Sequence, residues 1–432
     1  MPPFVSRRFR AARHAARAAM CLAVLSMPVS GLSAQDPELL VGPASELYTN
    51  LTLIDGRGGD PQPNAAILVW NGRIRQAGPR SSIQEPQGTQ VIDLEGAFVV
   101  PGYIDAHSAP RDSATLANML AAGITGVREA AMPVERFTRF GRDVPFDDPR
   151  PTVFIGGPVM EGPDGAGGLT MASDDEVRAT VERLIDEYDA RFLSVGPTVP
   201  PAWVREIARA SRSGDASVWV EQRSDGWLTA LRMGADVTAG LVSLDPDLVG
   251  AEHREDYRET LARSRTDALD EWLSLVDPGG AEVQTAVSAL LSRDAAIIPL
   301  LSTVDHETTT HWPVALTLTR MLYQENVRLL AGSGVPAGAA SAGRFHRELE
   351  LLVEAGVPPI DVLSIATRNG AIALGELHRR GTIEADKAAD FVILGADPTA
   401  DIRNTRRIRA IVLDGRGWVP LPQGGFERIR FR

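Results

Sequence analysis

Between residues 44 and 100 the chain alternates short apolar runs with turn residues. Leu51-Thr-Leu-Ile54, Ala66-Ile-Leu-Val-Trp70, Arg73-Ile-Arg-Gln-Ala77 and Val91-Ile-Asp-Leu94 are separated by Gly/Pro-rich or polar stretches. Asn71-Gly72 falls between two of these runs. Asn-Gly suits a two-residue hairpin turn because both central positions take positive φ, so the pattern predicts a small antiparallel sheet. Residues 380–418 read the same way, through Gly381-Thr-Ile383, Ala389-Asp-Phe-Val-Ile-Leu394 and Ile408-Arg-Ala-Ile-Val-Leu-Asp-Gly415. Two β-rich ends flanking a long middle predict one discontinuous domain to which both contribute strands.

The middle, 101–375, has a different period. Apolar stretches at 104, 126–128, 152–155, 192–195, 218–220, 237–238, 297–301 and 328–331 predict short strands. Between them 114–122, 174–188, 202–212, 227–233, 266–276 and 284–291 carry apolar residues at helical spacing, with acids near several starts. In 174–188, Ser173 is a natural cap, and Val177, Val181, Leu184, Ile185 and Tyr188 share a face. Eight strands alternating with helices predict an α/β fold, the (β/α)8 TIM barrel. Residues 242–280 read as a charged insertion.

Composition adds bounds. A chain of 432 residues, 44% hydrophobic and 23% charged, has room for a large core and an ordinary globular balance. The first 34 residues differ, with Arg7, Arg8, Arg10, Arg13 and Arg17, no acid, an apolar run from Ala18 to Val29, and Leu32-Ser-Ala34 before Gln35. This reads as a cleaved signal peptide (1–34), its apolar run being shorter than the roughly 20 residues of a spanning helix. The protein is therefore expected to be exported, periplasmic or extracellular. Arg7-Arg8 leaves a twin-arginine route open beside the general one. Loss of the five leader arginines takes the formal charge from −12 to −17, which argues against nucleic acid or membrane partners. The one cysteine, Cys21, lies in the leader, so no disulfide is expected in the mature chain.

The chemistry centres on Gly96-Ala-Phe-Val-Val-Pro-Gly-Tyr-Ile-Asp-Ala-His-Ser-Ala109. Apolar residues run into a Pro-Gly turn, then into a strand delivering Asp105 and His107 two residues apart on one face, as a strand end presents metal ligands. Two later stretches are Ala366-Thr-Arg-Asn-Gly-Ala-Ile-Ala-Leu-Gly375 and Gly381-Thr-Ile-Glu-Ala-Asp-Lys-Ala-Ala-Asp-Phe-Val-Ile-Leu394, closed by Ala396-Asp-Pro398. Together the three resemble the amidohydrolase superfamily, imidazolonepropionase-like branch, over residues 44–418. The resemblance implies a barrel of 101–375 and a composite β-sandwich domain of 44–100 and 376–418. It implies hydrolysis of C–N bonds, in non-peptide or dipeptide amides. In that chemistry a cation at the barrel mouth activates water and polarises a carbonyl, while an Asp on the last strand takes the proton. A homo-oligomer is a further family-level expectation.

The resemblance also implies a ligand set: His-X-His on strand one, often a carboxylated lysine on strand four, and histidines on strands five and six. His107 stands at the first position and Ala109 at the second. Strand four offers Leu193-Ser194, and the only lysine in the chain is Lys387, inside the C-terminal signature. Strand five ends in Glu221 (Val218-Trp-Val-Glu221), strand six in Gly240, and Gly334 stands where the proton-accepting Asp is expected. Ala, Ser and Gly do not hold a divalent cation strongly. His107 is thus the only retained ligand position, and no metal cofactor is expected. The reading is an exported pseudoenzyme that binds or scaffolds through a mouth lined by Asp105, His107, Ser194, Glu221, His306 and Ser333, with a small molecule as ligand. The alternative is an active hydrolase with an unorthodox site around His107 and Glu221. It would use either zinc or another divalent metal, helped by the loop Asp305-His-Glu-Thr-Thr-Thr-His311, or a metal-free acid/base pair. Glu129 reads as a loop-bonding carboxylate, and His253, His346 and His378 as surface residues. Gly162-Pro-Asp-Gly-Ala-Gly-Gly168 lacks the spacing of a phosphate cradle and reads as a flexible mouth loop.

Overall fold

The computed structural model describes residues 45–130, 132–137, 149–221, 226–304, 309–334 and 340–429. The expected leader, 1–34, lies outside them. Four strands come first: Glu46–Leu53 (β1), Gln62–Trp70 (β2), Arg73–Pro79 (β3) and Gln90–Pro101 (β4). Asn71 and Gly72 have φ of 54° and 75°, so the hairpin joins β2 to β3 as the sequence predicts. The sheet is not purely antiparallel, however. The hairpin occupies one side of β1, and the returning chain takes the other side, which brings β4 in parallel to β1.

Pro101-Gly102 leads straight into a parallel sheet of three strands, Tyr103–Ser108 (β5), Ile124–Glu129 (β6) and Thr152–Phe154 (β7). A second parallel sheet holds Met160–Glu161 (β8), Leu169–Thr170 (β9), Phe192–Val195 (β10), Ser217–Val220 (β11), Val237–Ala239 (β12), Ala296–Ile298 (β13) and Arg328–Leu329 (β14). The Ala106 N–H on β5 donates to the Ala331 carbonyl just beyond β14 at 2.9 Å, joining the two sheets edge to edge. Ile104, Ala106, Phe192, Trp219, Val237 and Ile298 pack together between the strands, filling the interior as barrels of this kind require.

The helices fall where the periodicity places them. Ser113–Ala121, Asp174–Tyr188, Pro201–Ser211, Trp227–Met233, Arg265–Leu275 and Ala281–Ser292 match the predicted set to within a few residues. Ser173 caps its helix, its hydroxyl accepting the Glu176 N–H at 3.3 Å. Tyr188, expected on the buried face, is half exposed because the helix ends at Asp189 in a left-handed conformation. Residues 242–280 are not merely a charged insertion. Tyr257 and Trp272 are fully buried in the main core, donating to the carbonyls of Leu244 (3.0 Å) and Asp245 (2.9 Å), while most of the charges, though not the buried Asp245, face outward. The glycine-rich loop is pinned by backbone bonds, including Gly165 N–H to Gly162 carbonyl at 3.0 Å. Among the described residues no helix is long and apolar enough to cross a membrane.

The chain returns to the first sheet through Phe391–Leu394 (β15), Ile408–Leu413 (β16), Arg416–Pro420 (β17) and Phe426–Arg428 (β18). β15 pairs with β4, giving eight strands in the order β18-β17-β16-β15-β4-β1-β2-β3. Both ends therefore share one sheet, which continues past residue 418. Arg380, almost fully buried, donates to Thr152 Oγ1 on β7 (2.9 Å) and to Asp390 Oδ2 ahead of β15 (3.2 Å), clasping this sheet to the barrel.

His346 is a correction: it is buried, not at the surface. It lies on the inner face of the helix Ala340–Glu354, with Nε2 donating to the Ala122 carbonyl and Nδ1 beside Thr405 Oγ1, both at 3.0 Å. Burial, helped by the nearby Arg406 charge, pushes its pKa down to about 4 from 6.5. The folded chain then binds fewer protons than the unfolded chain between those values. The stabilisation is complete above about pH 6.5 and is lost as pH falls toward 4. His346→Gln should flatten the acid decline in unfolding free energy by on the order of 3 kcal/mol across that window, measured by urea titration at each pH.

Gly102 allows a second test. A Cβ there would lie 2.1 Å from Thr125 Oγ1, and Thr125 is itself buried and cannot swing away. Gly102→Ala should destabilise by about 1–3 kcal/mol. A wild-type denaturation midpoint would show that the β4–β5 junction is not so tightly apposed to β6.

Candidate functional site

The strands deliver polar groups to one point by their alternation. On β10, Phe192 and Ser194 share a face; so do Trp219 of β11 and Glu221, the next residue beyond that strand. Glu221 is held beside β10 by its N–H, which donates to the Val195 carbonyl at 2.9 Å. His107 comes from β5 and Arg128 from β6.

These four side chains form one network. His107 Nε2 is bonded to Glu221 Oε2. Arg128 Nη2 donates to Glu221 Oε1 at 3.0 Å and to Ser194 Oγ at 2.6 Å. The guanidinium carbon lies 4.4 Å from the Trp219 ring centroid and 5.2 Å from that of Phe192, so aromatic surface covers it. Arg128 is 1% exposed and His107 4%. Burial pushes the Arg128 pKa down, and the Glu221 charge opposes this. For Glu221, burial alone pushes upward, but the His107 and Arg128 charges prevail and hold the carboxyl below its usual range. Glu221 is therefore ionised and can only accept, so His107 Nε2 carries the shared proton and donates it. His107 Nδ1 has no partner among the described residues.

Asp105 and Ser333 form a neighbouring latch. Asp105 Oδ1 accepts the N–H groups of Ser333 (3.0 Å) and His107 (3.1 Å), and Oδ2 accepts the Ser333 hydroxyl at 2.6 Å. Burial lifts the Asp105 pKa to about 6, with the Ser333 and His107 bonds restraining the rise. Both residues bind each other, fixing the end of β5 to the segment after β14.

The structure thus brings together His107, Ser194 and Glu221 and places Asp105 and Ser333 beside them. His306 lies outside the described residues, as do 305, 307 and 308 of the loop considered for an improvised metal site. His311, at the end of that loop, pairs with Asp270 at 3.1 Å in a half-exposed position. Glu129 is buried and contributes its charge to the surroundings of Arg128. Arg128 is the residue that the sequence reading passed over. Its signal was present: an arginine inside Ile124-Thr-Gly-Val-Arg128, a strand otherwise fit for complete burial, calls for a buried partner.

A family model described as the amidohydrolase family matches residues 317–416. An imidazolonepropionase of Deinococcus radiodurans is 26% identical over 377 residues, which covers 79% of this chain and 88% of that protein. Another, of Salinispora arenicola, is 31% identical over 224 residues, 50% of this chain and 43% of the relative, so that match spans less than half of the relative's length. A solved amidohydrolase superposes with a TM-score of 0.67 at 16% identity, covering 88% of this chain and 100% of the other. The family match over residues 317–416, the imidazolonepropionase relatives and the amidohydrolase-like fold support the amidohydrolase superfamily for this chain. Its fold is the superfamily's TIM barrel with a β-sandwich domain, and the reaction shared by these relatives is hydrolysis of C–N bonds in general.

Proteins of this superfamily are usually metal-dependent. The donors that the described residues offer do not fit a catalytic divalent cation. His107 has given Nε2 to Glu221, both Glu221 oxygens are engaged, Ser194 accepts from Arg128, and Ala109, Gly240 and Gly334 supply no side-chain donor. Among the described residues no group of three or more His, Cys, Asp or Glu is placed to hold a metal.

The latch yields a test. At pH 7, above its value of about 6, Asp105 is ionised. Ser333→Ala removes its shortest bond and should lower the unfolding free energy by about 1.5–3 kcal/mol, read from urea melts. An unchanged melt would deny the latch any structural role.

Proposed function

We propose that this chain is an exported amidohydrolase-related protein that does not carry out metal-assisted hydrolysis and binds a small molecule at its barrel mouth. The observation that supports this best is the Arg128 guanidinium bonded to both Ser194 and Glu221. A fixed positive charge sits among the groups that a metal would need. At a separation of about 4 Å in a partly screened interior, repulsion between a guanidinium and a divalent cation is on the order of 8 kcal/mol. One imidazole and one carboxylate, already committed to other partners, do not offset that. The imidazolonepropionase relatives suggest a compact ligand bearing a cyclic amide. The arginine-rich leader supports export, the acidic mature composition argues against nucleic acid and membrane partners, and self-association remains a family-level expectation.

A second reading, metal-free hydrolysis by an acid/base pair, draws on the direct contact between His107 and Glu221 and on the buried Nδ1 of His107. Arg128 weakens it, because a carboxylate held below its usual range is a poor base.

Elemental analysis of the purified mature protein, combined with assays on cyclic amides and dipeptides, separates these readings. The expected result is substoichiometric zinc, manganese and iron with no turnover. Stoichiometric metal that disappears together with activity in His107→Ala would sink the proposal. Metal-free turnover abolished by Glu221→Gln would establish the second reading instead.

A further inference from the structure

We propose that Arg128 replaces the catalytic cation: its guanidinium supplies the positive charge around which the ends of β5, β6, β10 and β11 assemble, and it thereby closes the site to a divalent metal. This deepens the metal-free reading above and rests on it. The first support is position. Ser194 and Glu221, the two groups bonded by Arg128, stand where the family resemblance implies the strand-four lysine and strand-five histidine ligands. His107, the retained ligand position, joins the same network through Glu221. Two ligand positions therefore bond one guanidinium directly, and the third reaches it through Glu221.

The second support is chemical fit. A metal requires lone-pair donors such as neutral imidazole, whereas a guanidinium offers only hydrogen-bond donors and requires acceptors. Glutamate in place of histidine gives it a counter-charge. Serine in place of lysine gives it a neutral acceptor and removes a second cation. At these two positions, what looks like loss of a ligand is a gain of a partner for Arg128. The third support is enclosure: Trp219 and Phe192, on the strands that carry those acceptors, cover the guanidinium. An always-charged, planar cation is suited to such a slot, and a flexible, strongly hydrated ammonium is not. An ordinary buried salt bridge would also tie the strands together, but it would not need to exclude a metal.

That difference sets the experiment. Ala109→His restores the second imidazole of the strand-one pair. Zinc binding, measured by equilibrium dialysis and as a zinc-dependent rise in Tm, is compared in full-length mature protein. The variants are Ala109→His alone, Ala109→His with Arg128→Ala, and Ala109→His with Arg128→Gln, the last retaining hydrogen bonds to guard against misfolding. The expectation is no zinc on Ala109→His alone, and one zinc per chain on both charge-neutral variants, lost again on adding Glu221→Gln. Zinc on Ala109→His alone, or on none of the variants, would overturn the replacement. Stoichiometric metal on the unmodified protein would instead defeat the metal-free reading beneath it, so the two failures are told apart.

Discussion

A guanidinium and a carboxylate removed from water together at the centre of a barrel constrain everything around them. Desolvation penalises each ion by several kcal/mol even after relaxation, and their mutual attraction compensates only when the geometry is good and the remaining donors and acceptors are occupied. Arg128 and Glu221 meet that condition in part, since Arg128 Nε has no partner among the described residues. Glu221 shares its other oxygen with His107, Arg128 also reaches Ser194, and Trp219 lies against the guanidinium. Loss of either ion would leave the other buried without a directly bonded counter-charge, a change that typically costs about 3–5 kcal/mol. The pair is therefore as much a constraint on the strands as a feature of the mouth.

The surrounding structure keeps those strands in place. The Ala106–Ala331 backbone bond and the Asp105–Ser333 latch act side by side where β5 meets the end of β14, so His107 emerges from a segment fixed through both main chain and side chain. On the other side of β6, Arg380 bridges Thr152 on β7 to Asp390, coupling the barrel to the sheet shared by the two ends of the chain. The Pro101-Gly102 junction does the same between β4 and β5, where the backbone passes too close to Thr125 for any side chain. Positioning of the central ions thus draws on the sheet outside the barrel as well as on the barrel strands.

Much of this was legible in the sequence wherever the signal was local. The Asn71-Gly72 turn, the Ser173 cap, the strand stretches and the helical periods all depend on a few neighbouring residues, and they appear where expected. What was not legible depended on distant partners. The parallel pairing of β1 with β4 follows from which side of β1 remains free, a matter of three dimensions. High charge between 242 and 280 obscured Tyr257 and Trp272, whose burial is set by the helices they meet. His346 lies next to Phe345 and three residues before Leu349, on a face whose apolar spacing could have placed it inside. At the mouth, tracing ligand positions found His107, Ser194 and Glu221 but only as remnants. The residue that connects them is on a strand which the ligand set does not include.

That omission changes how the substitutions are understood. Counted singly, Ser194 and Glu221 look like independent decay, each open to reversal. Taken with Arg128 they are coupled, because neighbouring charges are not additive. A histidine at 221 would leave the guanidinium without its counter-ion, and a lysine at 194 would bring a second cation to within hydrogen-bonding distance of the first. Each step back toward a metal site is thus opposed while Arg128 remains, and loss of Arg128 is opposed while Glu221 remains ionised. Under the metal-free reading proposed above, the central cation makes a departure from metal chemistry self-consistent, and an arginine in a buried strand is the sequence feature that distinguishes such an exchange from simple erosion.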